Sequence, residues 1–377
     1  MDIIEVSQKG KEALKMNLEE KEEKEKKKKI LVVLTGGTIG SVCTDGVRGI
    51  AGDSPYLLLR AFRAACPTYA DCEFEVINPC NLLSENLSCE VWETLYAAIS
   101  EELAAADTYC GIIVTHGSDT LAYTAAALGM LLRHTSCPVV LTAADRPVND
   151  PRGNGIGNFR AAVDFILRGG CRGVFVSYRR CADGAQVIYL AARLRSADCF
   201  CDEFSSYGSA VFGVMKDGAF CPDASPLNPA AEIGNAPLSP LAPPDIRLSE
   251  KKIMLLRAYP GLDYAAISPD GFAAVVHYGY HSATACTEGG NRSLLDFSRR
   301  CRACGADLWL GSFKQAESEL YDTSRELLDN GILPFFDMSP EAAYAKAVIA
   351  YHLPDADPKA FMRRCVCFEM VGHTVGD

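Results

Sequence analysis

Residues 31–41 read LVVLTGGTIGS, an aliphatic, β-branched run that stops at Thr35, crosses Gly36 and Gly37, and presents Thr38 to whatever follows. Residues 111–120, GIIVTHGSDT, echo the pattern: an apolar run ends in Thr115, His116 and Gly117, ahead of Ser118 and Asp119. Glycine at a strand end lets backbone N–H groups approach a ligand without a Cβ in the way. In open α/β sheets, ligands bind beyond the carboxyl ends of the strands, where the strand order reverses. Both turns lie at such ends, and they set how the rest of the chain is read.

Outward from these turns, short Val/Ile/Leu runs alternate with longer helical patterns. Ile30–Thr35, Gly111–His116, Pro138–Thr142 and Gly173–Ser177 are expected as strands buried on both faces; Ser54–Ala65, Cys89–Ala106, Thr120–Arg133 and Asn158–Leu167 are expected as helices. Such alternation predicts an α/β fold: a larger N-terminal parallel-sheet domain over 30–221, flavodoxin- or Rossmann-like, with helices on both faces. Residues 222–249, PDASPLNPAAEIGNAPLSPLAPPDIRLS, are Pro-rich and are expected as a linker or domain boundary. A smaller C-terminal α/β domain follows over 250–377, with strands near Ile253–Tyr259, Ala273–Tyr278, Leu308–Ser312 and Ile332–Asp337, and helices near Leu320–Asn330 and Pro340–His352. Residues 1–29 mix Glu and Lys without an apolar stripe, which predicts a charged extension, either a solvated helix or a disordered arm.

The length of 377 residues suits two domains, since single cores rarely grow past ~250–300 residues. A net charge of -11 disfavours nucleic acid and anionic membranes, leaving a small molecule or another subunit as partner. The charged N-terminus has no apolar leader segment, and Leu121–Leu132 is too short to span a bilayer, so a soluble, cytoplasmic protein is expected. Seventeen cysteines is an odd number, which free thiols in a reducing compartment fit best. The pairs Cys301/Cys304, Cys199/Cys201 and Cys365/Cys367 lack a second set with supporting His, so Cys is read as a small buried hydrophobe and no metal is expected.

Together the two turns offer two hydroxyls, one carboxylate and several amides, the inventory of an acyl-transfer site. Ser118 and Asp119 are expected to cap the helix that follows, whose N-terminus favours a carboxylate or a developing oxyanion. Taken singly, TGGT also suits a tight strand-to-helix turn and Ser-Asp an ordinary cap. Gly36, Gly37 and Gly40 lack G-x-G-x-x-G spacing, no G-K-[ST] follows for a phosphate loop, and no G-x-S-x-G elbow occurs.

The pair TGGTIG and HGSDTLAYTAAAL resembles the two signature motifs of the bacterial-type L-asparaginase family, whose usual forms are TGGTI and HGTDT. The similarity runs from about Ile30 to the C-terminus: NPCNLLSENLS resembles the family's substrate segment, PVVLTAADRP its third strand and turn, and YPGLD with YDTSRELLDNGILPFFDMSPEAAYAK parts of its second domain, in the manner of the cytoplasmic branch. The resemblance implies that Thr38 is the nucleophile, that Ser118 and Asp119 are the second hydroxyl and its carboxylate, and that Gly37 and Gly117 line the site with backbone. It implies that Ser84 and Glu85 hold the substrate's α-carboxylate and α-amino groups, as the charges demand. It implies no metal and no organic cofactor, and a homodimer or homotetramer.

Several positions depart from the family pattern. Val47 stands where the family carries a Tyr near the nucleophile, with Tyr56, Tyr278 and Tyr280 as substitutes. Arg195, counted back from Phe204 in RLRSADCFCDEF, stands where the family places a Lys beside the second hydroxyl; Arg193 is the alternative register, and a surface Arg is the plain reading. Arg stays protonated and cannot shuttle a proton as a Lys can. Asn154 replaces an Asp while Asn158 is retained. Ala143 and Asp145 stand where Gly and Gln or Met are common; Ala144 offers its carbonyl to the substrate amide, and Asp145 adds charge to the pocket. In HYGYHSATACTEGG, residues 277–290, His281 or Ser282 reaches a neighbouring subunit's site or forms a buried polar turn.

The resemblance thus implies an L-asparaginase-like amidohydrolase that converts asparagine to aspartate and ammonia through an acyl-enzyme. The alternatives are a glutaminase or other amino-acid amide hydrolase, Glu85 occurring in asparaginases with glutaminase side activity, and a catalytically quiet amino-acid-binding homologue. A tRNA amidotransferase subunit shares the motifs; the acidic balance and the absence of a folded N-terminal extension argue against it.

Overall fold

A computed structural model of the chain describes residues 29–40, 42–44, 47–49, 54–105, 109–233, 238–313 and 319–376. Residues 1–28 of the charged extension lie outside the described residues. The strands are β1 (Lys29–Leu34), β2 (Val42–Thr44), β3 (Val47–Gly49), β4 (Glu73–Ile77), β5 (Gly111–Thr115), β6 (Pro138–Thr142), β7 (Gly173–Arg179), β8 (Gln186–Leu190), β9 (Leu194–Asp198), β10 (Glu203–Ser206), β11 (Gly213–Lys216) and β12 (Ala219–Pro222). A second set is β13 (Lys252–Arg257), β14 (Phe272–Tyr278), β15 (Asp307–Phe313) and β16 (Leu333–Phe336).

The large sheet runs β12-β11-β8-β7-β6-β5-β1-β4. Its β4-β1-β5-β6-β7 portion is parallel. β5 and β6 are buried at every position and β1 at all but Lys29, as near-continuous apolar strands covered on both faces must be. The parallel-sheet expectation holds for this portion, while at the far edge β7-β8, β8-β11 and β11-β12 are antiparallel. The reason is local. Only residues 180–185 join β7 to β8, which suffices for a hairpin and not for the crossover that a parallel pair requires. From β1 the chain passes to β4 on one side, then returns through helix Cys89–Ala105 to β5 on the other, so the order reverses between β1 and β5.

The second sheet, β13-β14-β15-β16, is parallel throughout. Helix Leu121–Leu131 follows β5 and is buried everywhere except at Tyr123; it packs against helix Pro340–His352 of the second sheet, itself almost entirely buried. Both sequences, LAYTAAALGML and PEAAYAKAVIAYH, are rich in Ala, so the backbones approach closely. A helix buried around most of its circumference is a core element. Glu341 Oε1 crosses this seam to accept from the N–H and hydroxyl of Ser196 on β9, at 2.9 and 2.7 Å. Lys346 and Glu369, both fully buried, pair at 2.6 Å and hold the C-terminal turn.

Every cysteine whose side chain is described is a free thiol. Cys301, Cys365 and Cys367 are buried, as expected of small hydrophobes, whereas Cys199, Cys201 and Cys304 are exposed. Among the described residues no group of three His, Cys, Asp or Glu is placed to hold a metal, and no helix is long and apolar enough to cross a membrane.

His277, on β14, is fully buried with Nε2 2.8 Å from the Tyr264 hydroxyl; burial pushes its imidazole down to about 4. A folded-state value below the unfolded one means that the unfolded chain binds more protons in between, so this contribution is complete above about pH 6.5 and is lost as pH falls towards 4. Over that window the protein should lose on the order of 3 kcal/mol of stability through this residue. Denaturant melts of wild type and His277→Phe across the window should show a flatter pH slope in the variant.

Candidate active site

The first turn is built by glycines in left-handed backbone: φ is +99° at Gly36 and +77° at Gly37. A Cβ on Gly36 would lie 2.5 Å from the Leu82 carbonyl oxygen, and one on Gly37 2.6 Å from the Gly117 nitrogen. A Cβ on Gly117 would in turn lie 2.3 Å from Ser84 Oγ. Three segments, ending at Thr38, Ser84 and Asp119, therefore meet at the strand-order reversal, the first against the backbone of the other two and the third against the Ser84 side chain. The first hydroxyl of the turn is structural: Thr35 Oγ1 donates to the Thr115 carbonyl at 2.7 Å, and the Leu82 N–H donates to the Thr35 carbonyl at 3.0 Å. Thr38 then opens a short 3-10 turn, Thr38–Gly40, and is half-buried.

The second turn corrects one expectation. Neither Ser118 nor Asp119 caps helix Leu121–Leu131; the cap position is Thr120, and its side chain makes no capping bond. Thr120 Oγ1 instead donates to the Ser84 carbonyl at 2.9 Å, stitching the third segment to the second. Ser118 is half-buried and Asp119 exposed. His116 is buried, with Nδ1 2.8 Å from the Gly117 carbonyl oxygen and Nε2 3.0 Å from Thr124 Oγ1; burial holds its imidazole below the usual range, the Gly117 carbonyl opposing. Thr124 also accepts from Trp92 Nε1 at 3.1 Å. Composition and motif spacing do not reveal Trp92 and Thr124, because they reach His116 only through helix packing.

Ser84 is buried and Glu85 exposed on one 3-10 turn, Ser84–Asn86. Ala144 is buried; a Cβ on Gly155 would sit 3.0 Å from Ala144 Cβ and 3.4 Å from Ile39 Cγ1, so the β6 turn packs beside the residue after Thr38. Gly37, Ser84 and Gly117 thus meet at the carboxyl ends of β1 and β5, with Thr38, Glu85, Ser118 and Asp119 within two residues of them along the chain and Ala144 in the turn after β6. Arg195 is exposed on β9, where its backbone pairs with Ser205, and its side chain has no hydrogen-bond or ion-pair partner among the described residues. Arg193 is buried, and its guanidinium donates to the carbonyls of Phe368 and Leu227, both at 2.6 Å, and of Met370 at 3.4 Å, which makes it a pin for the C-terminal turn.

Val47 opens β3, and its side chain lies outside the described residues. Tyr278 is nearly buried and donates to the Met338 carbonyl in the seam, while Tyr56 and Tyr280 are exposed. His281 is exposed and Ser282 half-buried, so that turn sits at the surface.

Two departures from the family pattern turn out to be one. Asp145 Oδ1 accepts from the Asn154 N–H at 2.9 Å, and Asn154 Oδ1 accepts from the Asp145 N–H at 3.0 Å. Arg179 balances the carboxylate at 3.6 Å from Asp145 Oδ2. Asn158 keeps the loop in place, donating to the Ala143 carbonyl and accepting from the Arg179 N–H, both at 2.9 Å.

The fold and its paired strand-end turns belong to a class of hydrolases that act on amides: the family model described as asparaginase, N-terminal, matches residues 29–220. The chain belongs to the asparaginase family. It is 27% identical over 358 residues to an L-asparaginase of Thermococcus kodakarensis, covering 91% of this chain and 99% of that one. It is 24% identical over 388 residues to a subunit of the glutamyl-tRNA(Gln) amidotransferase of the same organism, covering 98% of this chain and 82% of that one. Among solved structures, the thermostable L-asparaginase from Thermococcus kodakarensis superposes with a TM-score of 0.72 at 27% identity, over 92% of this chain and 100% of that one. L-asparaginase I from Vibrio cholerae, at 20% identity and a TM-score of 0.69 over 92% and 99% of the two chains, shares the fold.

Gly37→Ala should destabilise the protein by at least about 1–2 kcal/mol from its left-handed backbone alone, with the Gly117 clash in addition; thermal melts measure it. Asn154→Asp should set two carboxylates face to face and weaken the fold as pH rises through the carboxylate range. Adding Asp145→Asn should restore stability, and a double-mutant cycle on denaturant midpoints should return a coupling of about 0.5–3 kcal/mol.

Proposed function

We propose that this protein is an L-asparaginase-like amidohydrolase that converts L-asparagine and water to L-aspartate and ammonia. Thr38 Oγ attacks the side-chain carboxamide carbon, and the resulting tetrahedral oxyanion is held by backbone N–H groups of the glycine turns. The C–N bond breaks, ammonia leaves with the proton from Thr38, and an acyl ester on Thr38 remains. Water near Ser118 and Asp119 cleaves the ester, returns the proton to Thr38 and releases aspartate. Ser84 receives the α-carboxylate and Glu85 the α-ammonium, while the Ala144 carbonyl accepts from the substrate amide. Arg195 takes the place of the family Lys in this reading.

The observation that carries the reading is the contact of the Gly37 turn with the Gly117 backbone; it supports a shared site for Thr38, Ser118 and Asp119, which follow those glycines within two residues. The near-complete coverage of the Thermococcus L-asparaginase supports asparagine over the amidotransferase reaction. Glutamine is the second substrate to test, since Glu85 suits the α-amino group of either amino acid. The same reading implies a cytoplasmic homodimer or homotetramer, which light scattering measures.

Ammonia release from asparagine and glutamine decides the matter. The expected result is turnover of asparagine that falls at least about 1,000-fold in Thr38→Ala and by a comparable factor in Asp119→Ala, without a loss of fold. Asparagine binding with no ammonia released, unaltered in Thr38→Ala, would instead mark an amino-acid-binding homologue.

A further inference from the structure

His116 belongs to the second turn, yet the reaction written above gives it no part. Its contacts fix its chemical form. An indole N–H only donates and a carbonyl only accepts. Nδ1, 2.8 Å from the Gly117 carbonyl, therefore carries the ring proton, and Nε2 is left to accept from the Thr124 hydroxyl at 3.0 Å. The oxygen of that hydroxyl accepts from Trp92 Nε1 at 3.1 Å, so each group in the chain has one role and no alternative direction. His116 and Trp92 are each 2% exposed and Thr124 is fully buried, so water does not compete for these bonds.

The consequence falls on the neighbouring peptide. A trans peptide is planar, with C=O and N–H pointing in opposite directions. Anchoring the Gly117 carbonyl on the buried imidazole turns the Ser118 N–H the other way. Gly117 is also the residue whose backbone touches Gly37, one residue before Thr38. Among the described residues no backbone carbonyl accepts the Ser118 N–H.

We infer that His116 is a positioning residue: through its Nδ1–H it locks the Gly117–Ser118 peptide, so that the Ser118 N–H stands pre-oriented beside the Thr38 turn as a donor for charge that develops on the substrate carbonyl oxygen. The catalytic half of this inference rests on the amidohydrolase reading; the tautomer does not. Preorganised donors act because no reorientation is needed at the moment of reaction.

Two substitutions separate positioning from packing. The side-chain amide of His116→Asn places an N–H near the position of Nδ1, and that of His116→Gln places one near Nε2. His116→Asn should keep kcat close to wild type, whereas His116→Gln should lose about 100-fold in kcat with KM little changed. Circular dichroism melts report the folded fraction by which both rates are normalised. Equal losses in the two variants, or a wild-type kcat per folded molecule in His116→Gln, would overturn the positioning role.

Nitrogen-15 NMR of histidine-labelled wild type is a measurement that needs no variant. It should find a neutral ring at about pH 7 with the proton on Nδ1. A neutral ring with its proton on Nε2, or a charged ring at that pH, would overturn the peptide-anchoring step. Wild type that releases no ammonia from asparagine or glutamine would defeat the hydrolase reading and the catalytic half with it, and the NMR result would then decide the anchoring half alone.

Discussion

The contact on which this architecture depends is between two stretches of main chain. Gly37 lies against Gly117 with less room than a single methyl group needs, and it can do so because neither residue carries a side chain. Neighbouring parallel strands run about 4.8 Å apart, and β1 and β5 would ordinarily hand over to bulkier turns that splay. Here the turns stay as close as the strands that feed them. The chain then leaves in opposite directions, to β4 from one turn and into helix Leu121–Leu131 from the other, so the residues just past the glycines rim a single edge.

Much of this was legible in the amino-acid order because the central strands are buried on both faces and so cannot afford a polar residue until they end. That is why β6 and helices Ser54–Ala65 and Pro340–His352 fall where the apolar pattern puts them. The antiparallel edge was not legible, since its outer strands, GVMK and AFCP, are four residues each, too short to establish an apolar period. Helix Leu294–Ala303 was missed for a different reason: its arginines mask the periodicity. A signal was nevertheless present in Ser293-Leu-Leu-Asp296, and Ser293 Oγ does accept from the Asp296 N–H. At the candidate site, glycine and hydroxyl positions could be found from sequence, whereas the roles of Trp92, Thr124 and Asn154 depend on where helices deliver them.

The two sheets meet through alanine. In helices Leu121–Leu131 and Pro340–His352 small side chains let the axes approach, and Glu341 is bonded across the seam to Ser196. The helix that follows the second turn is thereby held on one side by the first sheet and on the other by the second domain. Its N-terminal end, where Thr120 reaches the Ser84 carbonyl, is as constrained as a strand. Binding groups carried on loops gain their geometry from such a frame.

The reciprocal bonds between Asp145 and Asn154 bear on the route by which this sequence arose. If the common pattern, an amide or thioether at the first position and an acid at the second, was the starting point, then acquiring Asp145 first would have produced an acid–acid intermediate. Losing the acid at 154 first leaves a neutral pair that tolerates the later arrival of a carboxylate, with Arg179 close by to receive it. The order of the two substitutions is thus constrained by electrostatic repulsion, and lineages caught between the endpoints should carry the neutral combination.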